Sequence, residues 1–139
     1  MKLIHLVTCV FLLMGCAAPK SITITIQPDG NKMAYLTKEF RVSSGQEVTL
    51  VMNNTATSPA MKHNILILSD SKKVQEVGQL SMKEADYIPD HPAIIASTPM
   101  ANPGEQTQVT FTAPSKGEYT YICTFPGHYF MMQGTMIVE

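Results

Sequence analysis

The sequence predicts an all-β protein whose short strands form a Greek-key β-sandwich. Segments of alternating apolar and polar residues recur along the chain, and turn residues separate them. Only one segment has apolar residues at helical spacing. The chain has 139 residues, of which 45% are apolar and 15% charged, so we expect one domain with a substantial core and little room for a second.

The first predicted strand covers residues 21–27, where strict alternation places three isoleucines on one face. Residues 106–112 alternate in the same way, with Val109 and Phe111 on one face. The continuous apolar run at 65–68 predicts a strand that is buried on both sides. Further extended segments are predicted at residues 33–42, 47–52, 93–96, 118–123 and 134–139.

One helix is predicted, at Lys72–Glu84, because Val74, Val77 and Leu80 recur at helical spacing. Gly78 lies inside this segment and weakens it, since glycine has a low helix propensity. The chain therefore offers one helical segment beside seven or so strands.

The N-terminus predicts a lipoprotein signal peptide at residues 1–15. Lys2 precedes an apolar run that is too short to span a bilayer comfortably, which favours a cleaved signal over a membrane helix. The run ends in the sequence LMGC at residues 13–16, which resembles the bacterial lipobox, where the cysteine receives a diacylglycerol. The alternative is an ordinary signal peptide in which Cys16 falls at this position by chance.

Lipidation of Cys16 would make residues 16–20 a lipidated tether and residues 21–139 the folded domain. The protein would then be extracytoplasmic and anchored to a bacterial membrane, on the periplasmic or the cell-surface side, because two or more acyl chains anchor stably. The formal net charge is −1 and lysine and arginine are scattered, so we expect no binding to nucleic acid.

The cysteines acquire separate roles under this interpretation. Cys9 leaves with the signal peptide and Cys16 carries lipid, which leaves Cys123 as the one free thiol of the mature chain. An extracytoplasmic protein that keeps a single unpaired cysteine needs a reason for it, and metal ligation is such a reason.

A metal site is predicted in the loop between the last two strands, which offers the thiolate of Cys123, the imidazole of His128 and a methionine thioether. Two histidines and a cysteine with a weak axial methionine are typical of blue copper. The second histidine is His63 or His91, and we favour His63 because it precedes a buried strand while His91 lies in a turn-like, charged context.

At this point the sequence resembles a known family. The segments MKHN at 61–64 and CTFPGH at 123–128, followed by Met132, resemble the azurin family, and the loop looks most like that of the auracyanins, which are membrane-tethered azurin-like cupredoxins. The resemblance extends loosely over residues 22–139. Two features of azurins are missing, because the chain has no cysteines for their N-terminal disulfide and no tryptophan for their core.

The resemblance implies a cupredoxin barrel of about eight strands with a short helical flap. It also implies one copper ion that cycles between +1 and +2, held by ligands that bind it with different strengths. Met132 is expected as the weak axial ligand in place of its neighbour Met131, on the family's three-residue spacing after the histidine. The implied ligands are His63, Cys123, His128, Met132 and, weakly, the backbone carbonyl of Lys62, with Asn64 tying the two ligand segments together.

These residues predict a membrane-tethered protein that transfers single electrons and is not an enzyme. Its partners would be a redox donor and acceptor, such as cytochrome c or a membrane redox complex. We expect an apolar collar around the exposed edge of His128 to be the docking surface, although its residues could simply be packing residues. The collar comprises Met61, Pro126, Tyr129, Phe130 and Met131.

The principal alternative is an extracytoplasmic copper carrier or chaperone without an electron-transfer role, which the ten methionines would suit. Against it, the methionines form no Met-x-x-Met arrays and a thiolate is present. A copper enzyme needs a second, open metal site with more histidines than the spare His91 supplies. A binuclear copper site would need two cysteines in the loop, and a structural zinc site would leave the methionine without a use.

Overall fold

The computed structural model describes residues 20–139. The predictions of a signal peptide at residues 1–15 and of lipidation at Cys16 therefore lie outside the described residues. Within the described part, no helix is long and apolar enough to cross a membrane.

Residues 20–139 form eight strands in two sheets, together with one short helix, which confirms the predicted β-sandwich. The strands are β1 (Ile22–Ile26), β2 (Glu39–Val42), β3 (Glu47–Asn53), β4 (Leu66–Leu68), β5 (Ile94–Ser97), β6 (Gln106–Thr112), β7 (Gly117–Ile122) and β8 (Gln133–Val138). A 3-10 turn at Ser71–Lys73 leads into helix α1 (Val74–Ser81), and a second 3-10 turn covers His128–Phe130.

The two sheets have different sizes and both mix parallel with antiparallel pairs. The smaller sheet has the order β1-β3-β6, with β1 parallel and β6 antiparallel to β3. The larger sheet has the order β2-β8-β7-β4-β5, in which only the β2–β8 pair is parallel. The main core lies between the sheets, and the alternating residues Val48, Leu50 and Met52 of β3 are fully buried in it.

Strand β4 is buried on both faces, as its continuous apolar run predicts. Ile67 belongs to the main core between the sheets. Leu66 and Leu68 point the other way and form a second cluster with Val77 of helix α1 and Tyr129. The helix therefore covers the outer face of the larger sheet next to the loop that precedes β8.

The helix is shorter than the predicted Lys72–Glu84. Asp70 accepts a hydrogen bond from the backbone N–H of Lys72 and caps the preceding 3-10 turn, so the regular helix begins only at Val74. After Ser81 the chain tightens into turns, in which the N–H groups of Lys83 and Glu84 donate to the carbonyls three residues back. The apolar spacing of the sequence does not distinguish these flanking turns from a helix.

Strand register brings the two predicted ligand segments to the same end of the sandwich. Strands β4 and β7 are antiparallel neighbours, and Leu66 at the start of β4 pairs with Ile122 at the end of β7. The residues just before β4, including His63, therefore lie beside the residues just after β7, including Cys123.

Candidate metal centre

Three side chains with metal-binding atoms converge at this end of the sandwich. The Sγ atom of Cys123 lies 3.7 Å from Nδ1 of His63 and 3.6 Å from Nδ1 of His128. Cys123 and His63 are fully buried and His128 is 4% exposed. Their ligand atoms all lie within 4.8 Å of one another, which suits a single ion.

The segment that carries His63 is fixed by its backbone and by a buried asparagine. His63 exchanges two backbone hydrogen bonds with Ala101, at 3.1 and 2.8 Å. The side-chain amide of Asn54 donates to the carbonyls of Met61 and Ala101, at 2.8 and 3.0 Å. The backbone that carries the His63 imidazole is thus held in place by a part of the chain that supplies no ligand.

The loop between β7 and β8 closes on itself, which brings its donors together. The backbone N–H of Cys123 donates to the carbonyl of Met132, at 3.1 Å, and the N–H of Met132 donates to the carbonyl of His128, at 2.8 Å. Gly127 has a φ of +81°, a left-handed conformation that glycine adopts without steric strain, and it leads into the 3-10 turn at His128.

Asn64 connects the two ligand segments through both ends of its side-chain amide. Its nitrogen donates to Oγ1 of Thr124, at 2.7 Å, and its oxygen accepts from the backbone N–H of Thr124, at 2.8 Å. The hydroxyl of Thr124 in turn donates to the carbonyl of Tyr87, at 2.7 Å. Asn64 follows His63 and Thr124 follows Cys123, so this pair holds neighbouring ligands at a fixed separation.

The two methionines after His128 have opposite environments. Met132 is fully buried and belongs to the same core cluster as Cys123. Met131 is 69% exposed. A side chain directed into solvent cannot also reach a buried ion, so Met132 is the methionine available to the site.

His91 lies away from these donors. Its Nε2 atom is 3.2 Å from a carboxylate oxygen of Glu76 on helix α1, and its Nδ1 atom accepts a hydrogen bond from the backbone N–H of Ala93. Both ring nitrogens are therefore occupied, and the contact with Glu76 joins the helix to the segment before β5. The structure brings His63, and not His91, to Cys123.

Burial sets the protonation of the three donors. It raises the pKa of the Cys123 thiol to about 12, and it lowers the pKa of His63 to about 4 and that of His128 below its usual range. Both imidazoles are therefore neutral at pH 7 and offer a lone pair. The thiol becomes a thiolate when a cation compensates its charge, so the cluster is suited to a metal ion.

Copper fits this donor set. A thiolate and a thioether are soft ligands that suit Cu(I), and imidazole binds both oxidation states. When bound, the metal supplies a one-electron redox couple, and the chain supplies a buried, fixed set of donors around it. The four residues match the ligand set that is typical of blue copper, with two histidines, one cysteine and one weakly binding methionine.

One residue of the predicted collar is wrongly assigned. Tyr129 is 2% exposed, because its ring packs under helix α1 against Gly78 and the second cluster. Its side chain is therefore not part of the exposed surface around His128. The 3-10 turn directs successive side chains to different sides, so Tyr129 points inward while Phe130 points outward.

Two residues beside the site, Tyr87 and Tyr35, are not predicted by any sequence pattern. Tyr87 has a φ of 60° and is the one non-glycine residue with positive φ in the described chain. Its carbonyl accepts from Thr124, and its ring meets Phe125 edge-on at 5.6 Å. Nothing in the sequence around Tyr87 signals this contact. Tyr35 contacts the backbone of Asn64, and it is likewise remote in sequence from every ligand.

Comparisons with known proteins agree with this site. Residues 22–139 match the family described as copper binding proteins, plastocyanin/azurin family. Auracyanin-A of Chloroflexus aurantiacus is 39% identical over 123 residues, which cover 85% of this chain and 75% of that protein. The outer membrane protein H.8 of Neisseria meningitidis is 34% identical over 129 residues, covering 86% of this chain and 66% of that protein.

A solved structure gives the same result for the fold. The crystal structure of dithionite-reduced auracyanin from the photosynthetic bacterium Roseiflexus castenholzii is similar with a TM-score of 0.79 and 39% identity. The match covers 87% of this chain and 99% of that chain. Proteins of the azurin and auracyanin type are electron carriers and not enzymes. The chain belongs to the plastocyanin/azurin family of copper-binding proteins, with a type 1 copper site at His63, Cys123, His128 and Met132.

Proposed function

We propose that this protein is a membrane-tethered electron carrier that exchanges single electrons with redox proteins through the edge of His128. The observation that carries the proposal is the surface around this ligand. His128 alone of the three clustered donors has any exposed surface, and Phe130 and Met131, which follow it in the loop, are 63% and 69% exposed. The exposed edge of a metal ligand gives electrons a short route out of a buried site, and the apolar surface beside it allows a partner to approach that edge closely.

The ligand roles follow from the donors and their burial. We assign His63, Cys123 and His128 as the strong ligands and Met132 as the axial ligand, because Met132 is buried. The carbonyl of Lys62 is proposed as a further weak ligand, since it belongs to the peptide bond that leads into His63. Asn64 is proposed to hold the two ligand segments together through its contacts with Thr124.

The proposed docking surface is the collar without the buried Tyr129, and it consists of Met61, Pro126, Phe130 and Met131. Residues 123–133 contain no Asp, Glu, Lys or Arg, so the loop that carries Pro126, Phe130 and Met131 has no formally charged side chain besides the histidine. Pro126 is exposed and Met61 is half-buried. A small uncharged surface suits brief encounters, because weak redox complexes bury less area than stable ones.

A lysine in place of Met131 tests the docking surface with the protein as its own partner. We expect Met131→Lys to lower the rate of electron self-exchange between oxidised and reduced copies by about tenfold or more, because docking through the collar would bring two like charges together. The rate is measured from NMR line broadening in mixtures of the two oxidation states.

The matched control is Ser115→Lys, which adds the same charge in the exposed turn at the opposite end of β7. We expect it to leave the self-exchange rate within about twofold of wild type. Equal slowing by both variants would mean that net charge alone acts and would overturn the collar as the docking surface.

Tethering is proposed on Cys16, outside the cytoplasm. It rests on the LMGC sequence at residues 13–16 and on the few residues between Cys16 and the start of β1 at Ile22. The similarity to a protein named outer membrane protein H.8 supports this placement. Lipidation would leave a five-residue tether, residues 16–20, before the folded domain.

Cys16→Ser is expected to move the protein from the membrane fraction to the soluble fraction of cells that express the full chain, because the acyl chains supply the anchor. Cys9→Ser is the matched control, since Cys9 lies within the proposed signal peptide and its loss leaves the anchor intact. If Cys16→Ser stays in the membrane fraction, the lipid anchor is wrong, while the electron-transfer proposal is unaffected.

A further inference from the structure

Tyr35 is a buried residue with no assigned role that contacts the copper site. It lies in the connection between β1 and β2, pairs with Pro28 through an isolated β-bridge and is 1% exposed. Its ring packs against that of Tyr121, with the ring centroids 5.3 Å apart. The segment around Tyr35 contributes no ligand, so Tyr35 supports the site from a part of the chain that is separate from the two ligand segments.

The hydroxyl of Tyr35 donates a hydrogen bond to the backbone carbonyl of Asn64, at 2.5 Å. Both partners are buried, so the bond is not exchanged for water. It fixes the backbone orientation of the residue that directly follows the ligand His63. The phenol of Tyr35 lies in the main core and therefore restrains one side of the metal site.

Asn64 extends this restraint to the segment that carries Cys123. Its side chain holds Thr124 through two hydrogen bonds, and Thr124 directly follows Cys123. The backbone N–H of Asn64 also donates to the sulfur of Cys123.

We propose that Tyr35 is a positioning residue of the copper site, and that its hydroxyl orients Asn64 and strengthens the hydrogen bonding around the Cys123 sulfur. This inference rests on the copper site proposed above. Hydrogen bonds to the sulfur reduce electron donation from the thiolate to copper and so tune the reduction potential. Tyr35 therefore makes the bound copper easier to reduce.

The test is Tyr35→Phe, which removes one oxygen and keeps the ring. We expect the variant to shift the one-electron equilibrium about tenfold towards the oxidised form and to lower copper affinity by about tenfold, as loss of a residue behind the ligands commonly does. The measurements are the reduction potential by voltammetry, the position of the visible band and a competitive copper titration. Amide hydrogen exchange at Asn64 in the copper-free protein gives a readout without metal.

Tyr121→Phe is the matched control, because the Tyr121 hydroxyl also donates to a backbone carbonyl, the part-buried carbonyl of Thr37, at 2.6 Å. We expect it to lose similar unfolding stability and to leave the potential and the copper affinity unchanged. If Tyr35→Phe matches Tyr121→Phe in all readouts, the hydroxyl has a structural role only and the inference is overturned.

A second variant keeps the test valid if Tyr35→Phe folds poorly. Site-specific replacement of Tyr35 by 3-fluorotyrosine keeps the hydroxyl and makes it a stronger donor, so the potential should shift in the opposite direction. The same replacement at Tyr121 should have no effect on the potential. An unchanged potential with fluorine at position 35 contradicts the inference, whereas a wild-type protein without a blue copper band contradicts the proposed function itself.

Discussion

Replacing Cys123 with serine is expected to abolish the intense visible absorption of the copper-loaded protein at about 600 nm. This absorption arises from charge transfer between a thiolate and copper, and it requires the soft sulfur donor of a blue copper site. A serine hydroxyl is a harder and weaker ligand and cannot replace it. The effect should be all or none, because Cys123 is the one free cysteine in residues 20–139.

The Cys123→Ser variant should remain folded. Its backbone N–H still donates to the carbonyl of Met132, and a single buried hydroxyl typically costs about 1–3 kcal/mol. Circular dichroism and a urea melt of the copper-free protein check the fold, and a visible spectrum with metal analysis checks the site.

Met131→Leu is the matched control for the visible band, since Met131 is exposed and should leave the band intact. A band that persists in Cys123→Ser would show that another residue supplies the thiolate and that the assigned site is wrong. A wild-type protein that binds copper without the band would favour the copper carrier over the electron carrier.

The ligand loop is the part of the site that sequence alone predicts well. Cys123, His128 and Met132 lie within ten residues, so their proximity follows from chain connectivity and needs no knowledge of the fold. His63 lies sixty residues away, and only the register between β4 and β7 brings it to Cys123. The sequence favoured it over His91 because it precedes a buried strand, which is a weak signal by itself.

The residues around the ligands are harder to predict, because their contacts depend on tertiary packing. Tyr35 reaches Asn64 from a different strand connection, and Tyr87 reaches Thr124 through a backbone carbonyl in a conformation with positive φ. No local pattern encodes either contact. Tyr129 was placed at the surface for the same reason, since loop residues cannot be sorted into inward and outward without the packed helix.

Gly78 illustrates how packing can reverse an expectation from helix propensity. In an exposed helix, glycine to alanine should stabilise by about 1 kcal/mol. In this protein a Cβ atom on Gly78 would lie well inside 3.0 Å of the Tyr129 ring, a distance that Cβ atoms essentially never adopt. We therefore expect Gly78→Ala to destabilise the copper-free protein by about 1–3 kcal/mol, the usual range for overpacking a core.

The same substitution should also reach the metal site, because Tyr129 directly follows His128 and both belong to one 3-10 turn. Displacing the ring from beneath the helix would tilt this turn, which weakens copper binding by an expected tenfold or so. Urea unfolding of the copper-free protein and a competitive copper titration measure the two effects separately.

Gln79→Ala, at an exposed position of the same helix, controls for helix propensity and should stabilise the protein slightly. If Gly78→Ala were as stable as Gln79→Ala, the tight contact between the helix and the ligand loop would be contradicted. Glycine at position 78 would then serve neither the fold nor the site.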